Sequence, residues 1–427
     1  MFPEAPGARG GRPLSAAWAS LLLCGGAIYP QLAWAKEALT VDLSAGATAS
    51  SNPFLEVNGK AGVGASAGID ANYRIQSERT TLNLGAGGQS STYLDGRGTD
   101  LSGNVSADLQ HRISDRASVQ LLGHYRYSRS SGYDYVFQPG LASAFPGATG
   151  GSTGQTPPII AVPLPGTPGA PGLPTDATVI GRRIAQHSID GAINLELRTS
   201  ARGTLSLAAD ASDVRYNDPL LSNYRMFSQA AAYSYRLNEA TTVLGRMTVA
   251  EVKYDNGEKD TLLTPMVGVS RKLNDTFDLS VYAGASLVRS RLPNGTRVHS
   301  GTLAMSARLC GHYERRDFCV SGERQNLPSA LGGVRPSTVA RATYNERLNR
   351  DDTLGLSLVF DRRGRDSQNF FRSQTMVGGT ARYDHRLGDR LAVFAAAGYT
   401  RLWESSVPSR SEVRGTVGVT FRLGDRG

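Results

Sequence analysis

The feature that most constrains this chain is an alternation with a period of two residues. In the stretch 101–113, LSGNVSADLQHRI, the odd positions Leu101, Gly103, Val105, Ala107, Leu109 and Ile113 are apolar or small, with His111 the exception. Ser102, Asn104, Ser106, Asp108, Gln110 and Arg112 fill the even positions. Successive side chains on a β-strand point to opposite faces, so this segment carries one apolar face and one hydrated face. The same pattern returns at Ala61–Ile75, at Ile189–Leu197, at Leu354–Phe360 and at Val413–Leu423. Such runs exceed the five or six residues usual for a soluble strand and match the roughly 9–11 that a tilted strand needs to cross a bilayer.

The connections sharpen that reading. Tight turns fall at SERT (77–80), SDR (114–116), SAR (200–202), NEA (238–240), NDT (274–276), Glu314-Arg315, NRDD (349–352) and GDR (388–390). Longer links lie between them: SNPFLEVN, LDGRGTD, a very long one near 131–181, NDPLLSN, DNGEKD, RLPNGT, QNLPSALGGVRPST, RRGRDSQN and WESSVPSRSE. Eight short turns and nine long links make eighteen strands, an even number that returns both chain ends to one side. A soluble sandwich has no reason to alternate long and short links, whereas transmembrane barrels pair short periplasmic turns with longer external loops. The sequence thus predicts an all-β fold: a transmembrane antiparallel up-and-down β-barrel of 16–18 strands over residues 36–427, in the bacterial outer membrane. The Pro/Gly-rich segment at about 131–181 is its long external loop, free of regular structure because proline lacks the donor a sheet ladder needs.

Residues 1–35 have the make-up of a cleaved leader: Arg9 and Arg12, an apolar run, then the small-x-small site Ala33-Trp34-Ala35. No later stretch approaches the roughly 18 continuous apolar residues of a membrane helix, so strands must do the spanning.

Strand parity assigns the charges. Asp42, Asp70, Asp108, Asp190, Glu196 and Asp210 face the lumen from the first half of the wall, and Arg236, Arg246, Arg308, Arg341, Arg347, Arg382, Arg414 and Arg422 face it from the second. The expected arrangement is two half-walls of opposite sign with arginine in excess, a field that selects what passes. Cys310 and Cys319 flank the Glu314-Arg315 turn symmetrically, which sets them opposite each other on adjacent strands as a disulfide staple in an oxidising compartment.

The net charge of +9 is spread among the strands, with no basic helix or aromatic-basic platform, so no nucleic-acid partner is expected. No catalytic motif, metal-ligand spacing or cofactor loop occurs, and the histidines are scattered. The chain does not read as an enzyme. Asp384-His385 is the nearest approach to a hydrolytic pair, and adjacent strand residues point to opposite faces.

SSNPFL (50–55), directly after the first strand, resembles the D/S-N-P-[FY]-L signature of β-barrel porins associated with bacterial exopolysaccharide gene clusters. The motif covers about six residues and the architecture covers the whole mature chain. The resemblance implies an accessory outer-membrane protein of polysaccharide assembly or secretion, with the membrane lipid, an anionic polysaccharide and other export proteins as partners. It implies no catalytic residues. One departure is that Phe421 is followed by RLGDRG, where many barrels end on the aromatic. Two other readings fit the same pattern: a general diffusion porin for small solutes, and a structural surface barrel with a plugged lumen.

Overall fold

The computed structural model describes residues 36–94, 98–129, 184–364, 373–405 and 407–424. The leader expected at 1–35 and the external loop expected at 131–181 lie outside the described residues.

The described residues form β1 (Lys36–Ser50), β2 (Gly62–Gln76), β3 (Thr80–Tyr93), β4 (Gly98–Ser114), β5 (Ala117–Arg129), β6 (Gln186–Arg198), β7 (Gly203–Tyr216), β8 (Tyr224–Arg236) and β9 (Thr241–Tyr254). The second half supplies β10 (Lys259–Lys272), β11 (Phe277–Arg291), β12 (Arg297–His312), β13 (Arg316–Pro328), β14 (Val334–Arg347), β15 (Asp352–Arg363), β16 (Gln374–Arg386), β17 (Leu391–Glu404) and β18 (Val407–Gly424). All pair antiparallel with their chain neighbours in one 18-stranded sheet, and β1 pairs with β18 to close it. Closure gives every strand a neighbour on both sides, the arrangement that lets strands span a bilayer.

The alternation decides which face is which. On β4, Leu101, Val105 and Ile113 stand out from the barrel, Val105 with 53% of its surface open, while Ser102 is 7% open and turned inward. Val63 and Ile69 on β2, Ile189 and Ile193 on β6, Leu356 and Leu358 on β15, and Val413, Val417 and Val419 on β18 are outward in the same way. An apolar outside on a closed, even-stranded antiparallel barrel, with both ends of the sheet at one rim, is the architecture of bacterial outer-membrane barrels. The protein is a membrane protein of that class, with its short turns periplasmic.

The links differ from expectation where strands run on past them. Within QNLPSALGGVRPST, expected from the sequence to be a link, Gln325–Pro328 belongs to β13 and Val334–Thr338 to β14, leaving only 329–333 as the turn. In WESSVPSRSE, Trp403–Glu404 belongs to β17 and Val407–Glu412 to β18, and in LDGRGTD Gly98–Asp100 belongs to β4. Prolines stand within these ladders, with Asn326 opposite Pro336 and Pro328 opposite Val334.

The wall parts at one seam. β12 pairs with β13 only from His312↔Asp317 to Met305↔Arg324, while β11 and β12 stay paired to Arg291↔Arg297 and β13 and β14 to Pro328↔Val334. Beyond Arg324 the β13–β14 hairpin leaves β12 and turns into the lumen. Asn326 Nδ2 donates to Ser286 Oγ at 3.0 Å and to the Ser286 carbonyl at 3.3 Å, reaching past β12 to β11.

Candidate functional site: the lumen wall and its outlet

Every charge assigned by parity lies on the inward face. Asp42, Asp210, Arg246, Arg382 and Arg414 are buried there, and Asp70, Asp108, Asp190, Glu196, Arg236, Arg341 and Arg422 are partly so. Arg308 and Arg347 are open to the lumen and its periplasmic mouth.

The two half-walls of opposite sign do not form. Closure sets Arg422 of β18 directly across from Asp42 of β1, and two parallel hydrogen bonds of 2.7 Å join guanidinium to carboxylate. Asp42 is in turn opposite Asp70, which accepts a hydrogen bond from Asn72 Nδ2 at 2.5 Å. The next position in that row is Gly87, where a Cβ would stand 3.1 Å from Asp70 Oδ2 and 2.9 Å from Asn104 Oδ1, so glycine leaves room for the polar groups on both sides.

Other arginines carry their own carboxylates two residues along the same strand. Arg382 Nε and Nη2 donate to Asp384 at 2.7–3.0 Å while its guanidinium lies 4.2 Å from the Phe394 ring centre. Arg414 Nε donates to Glu412 Oε1 at 2.7 Å, and Ser50 Oγ donates to the same oxygen at 2.6 Å. Arg246 faces Asp210 of β7 and Glu323 of β13, and Glu323 faces Arg341 and Arg363 in turn. Several inward arginines of the second half are thus matched by carboxylates on their own strand or the neighbouring one. Glu323, Asp361 and Glu412 carry no signal in the sequence analysis, and Asp384 is noted there only beside His385, although Asp384 and Glu412 share parity with Arg382 and Arg414.

Arg308 is different. Its Nε lies 2.9 Å from Cys310 Sγ and 3.3 Å from Cys319 Sγ, and among the described residues no carboxylate pairs with it. The two cysteines face each other in register at a Cα–Cα distance of 4.1 Å and are joined as a disulfide on the lumen side. Asp384 and His385 diverge as parity requires: Asp384 binds Arg382 inside, and His385 Nδ1 lies 2.7 Å from Asp352 Oδ1 at the periplasmic rim.

Two in-turned segments stand at the external end of the lumen. In the β1–β2 link, the Asn52 side chain accepts from the Glu56 amide at 3.0 Å and donates to the Glu56 carbonyl at 2.9 Å, closing a compact turn. That turn buries Phe54 and Leu55, with Phe54 set edge-on against inward Tyr93 at 5.4 Å and Leu55 in a left-handed conformation (φ 51°). The second segment is the β13–β14 tip at 329–333. Ala330 is fully buried among Val214, Tyr216 and Leu221, its carbonyl accepts from the Ser222 amide at 2.6 Å, and Tyr254 donates to the Gly333 carbonyl at 2.7 Å. The tip of β13–β14 thus rests on β7, β9 and the β7–β8 link.

No family model and no curated protein matches the chain. Solved structures of similar architecture include the outer membrane protein opdK from Pseudomonas aeruginosa (10% identity, 91% of this chain and 99% of that chain covered, TM-score 0.44). OccK2 (OpdF) of Pseudomonas aeruginosa in complex with glucuronate is another (12% identity, 92% and 99% covered, TM-score 0.45). Acinetobacter baumannii OccAB3 is a third (10% identity, 91% and 100% covered, TM-score 0.41).

Proposed function

We propose that this outer-membrane barrel serves the export of an anionic exopolysaccharide, as its conduit or as an accessory to the other proteins of the exporter. The observation that carries the reading is where the SSNPFL stretch sits. Of the residues on which the resemblance to exopolysaccharide-cluster porins rests, Asn52, Phe54 and Leu55 are buried at the external end of the lumen, Phe54 against Tyr93, a position from which they would bear on whatever passes. A wall of serine, threonine and asparagine interleaved with paired charges suits a hydroxyl-rich acidic chain, which exchanges hydrogen bonds and ion pairs step by step as it moves.

Deletion of the gene tests the reading: a strain that loses its surface polymer and keeps its small-solute uptake supports it. A second reading, a general diffusion porin, is favoured by the hydrated inward face that continues around the closed wall. It expects the reverse phenotype, slowed uptake of small solutes with surface polymer intact.

A further inference from the structure

Outside the barrel, at the external rim, basic residues stand directly across from one another on five consecutive strands. Arg225 of β8 is opposite Lys253 of β9, Lys253 is opposite Lys259 of β10, Lys259 is opposite Arg291 of β11, and Arg291 is opposite Arg297 of β12. Arg289 of β11 adds a further cation on the same face, opposite His299. All of these side chains are exposed and share outward parity with Phe227, Val249, Leu263 and Leu287, while their strand neighbours Val252, Asp260, Val288 and Ser290 are buried inward.

Opposite residues in a ladder have Cβ atoms only about 4.5–5.5 Å apart, and like charges so placed are destabilising. Two carboxylates relieve one end of the row: Asp213 pairs with Arg215 and Arg225, and Glu251 pairs with Lys253 at 2.8 Å. Among the described residues no carboxylate pairs with Lys259, Arg289, Arg291 or Arg297. A run of uncompensated like charge on a rigid sheet is a surface that lacks its counter-charge.

Height fixes what that counter-charge is. Arg225 and Arg289 lie two residues beyond the outward apolar Phe227 and Leu287, and Lys253 and Lys259 lie four beyond Val249 and Leu263. At about 3.3 Å per residue this is about 7–13 Å along the strand above the lipid-facing surface. The apolar residues meet acyl chains, and the cations stand where the headgroups of the outer leaflet begin. We infer that this row is a docking surface for the phosphate groups of an anionic, phosphorylated glycolipid of the outer leaflet, with Arg291 and Arg297 reaching the phosphates nearest the exterior. The inference depends on the barrel's orientation and not on what passes through its lumen.

Lipid A binding to the purified full-length barrel in detergent tests it, with native mass spectrometry reading the retained lipid. The bisphosphorylated form is expected to bind at least about tenfold tighter than its dephosphorylated counterpart. The variant R225Q/K253Q/K259Q/R289Q is expected to lose that difference, whereas R362Q/R401Q, on β15 and β17 at the same external rim but away from the row, keeps it. Inorganic phosphate at the same concentration should not displace the lipid. Melting supplies a readout that a merely structural role would not give. Without lipid A the four-glutamine variant should melt no lower than the parent, since like charges have been removed, and with lipid A only the parent should gain. Equal binding of both lipid forms, full retention by the four-glutamine variant, displacement by inorganic phosphate, or a variant that fails to fold in lipid-free detergent would each overturn the inference.

Discussion

Arg422 is the cation that the end of the chain lends to its beginning. It holds Asp42 through two hydrogen bonds of 2.7 Å, and Asp42 stands beside Asp70 in the same row. Removing one partner of a buried pair strands the other, typically at a cost of 3–5 kcal/mol. Arg422→Gln should therefore lower stability by about that much, measured by urea unfolding of the barrel in vesicles, and Asp42→Asn in the same chain should recover most of the loss. A single variant within about 1 kcal/mol of the parent would contradict the pairing. The arginines divide by role in the same way. Arg382 is clamped by Asp384 and the Phe394 ring, so Arg382→Gln should act on stability, while the open, carboxylate-free Arg308 should act on ion selectivity. Parity made each of these residues legible as inward. Their partners were less so, because Asp42 and Arg422 become neighbours only when the first and last strands meet, a contact that no local pattern encodes.

At the scale of elements, the strands were readable because a one-residue slip would turn every apolar side chain into the lumen. Ile69, Val105, Leu358 and Val417 had to be outward together or not at all. The β13–β14 hairpin escaped that logic. Its tip is held by Ala330 among Val214, Tyr216 and Leu221, by Ser222 and by Tyr254, residues too far away in sequence to mark QNLPSALGGVRPST as anything but a polar link. Gly332 and Gly333 have φ of 87° and 70°, a left-handed conformation that costs a residue with a Cβ roughly 1–2 kcal/mol. Changing both to alanine should loosen the tip and raise single-channel conductance in planar bilayers, and unchanged conductance would remove the hairpin from the outlet. The disulfide is a different kind of element. Chain-entropy reasoning gives about 3 kcal/mol for a 15-residue loop, and the shorter Cys310–Cys319 hairpin is already closed by its ladder. The Cys310→Ser/Cys319→Ser variant should therefore fold with a loss below about 3 kcal/mol, and mass spectrometry of unreduced parent protein should find the two cysteines joined.

For the whole molecule, the proposed reading expects a closed barrel whose hydrated lumen favours anions across the outer membrane. Arg382, Arg414 and Arg422 are matched by carboxylates, so such a bias would rest on arginines without one, with Arg308 foremost. Fixed charge on a narrow wall enriches its counter-ion, and the effect fades as salt shortens the Debye length, about 10 Å at 0.1 M and about 3 Å at 1 M. The direct measurement is the reversal potential of the purified protein in a planar bilayer across a salt gradient. The account predicts stepwise currents that are anion selective at low salt, lose that selectivity toward molar salt, and are less selective in Arg308→Gln. Cation-selective currents at low salt, or no current from correctly folded protein, would contradict it.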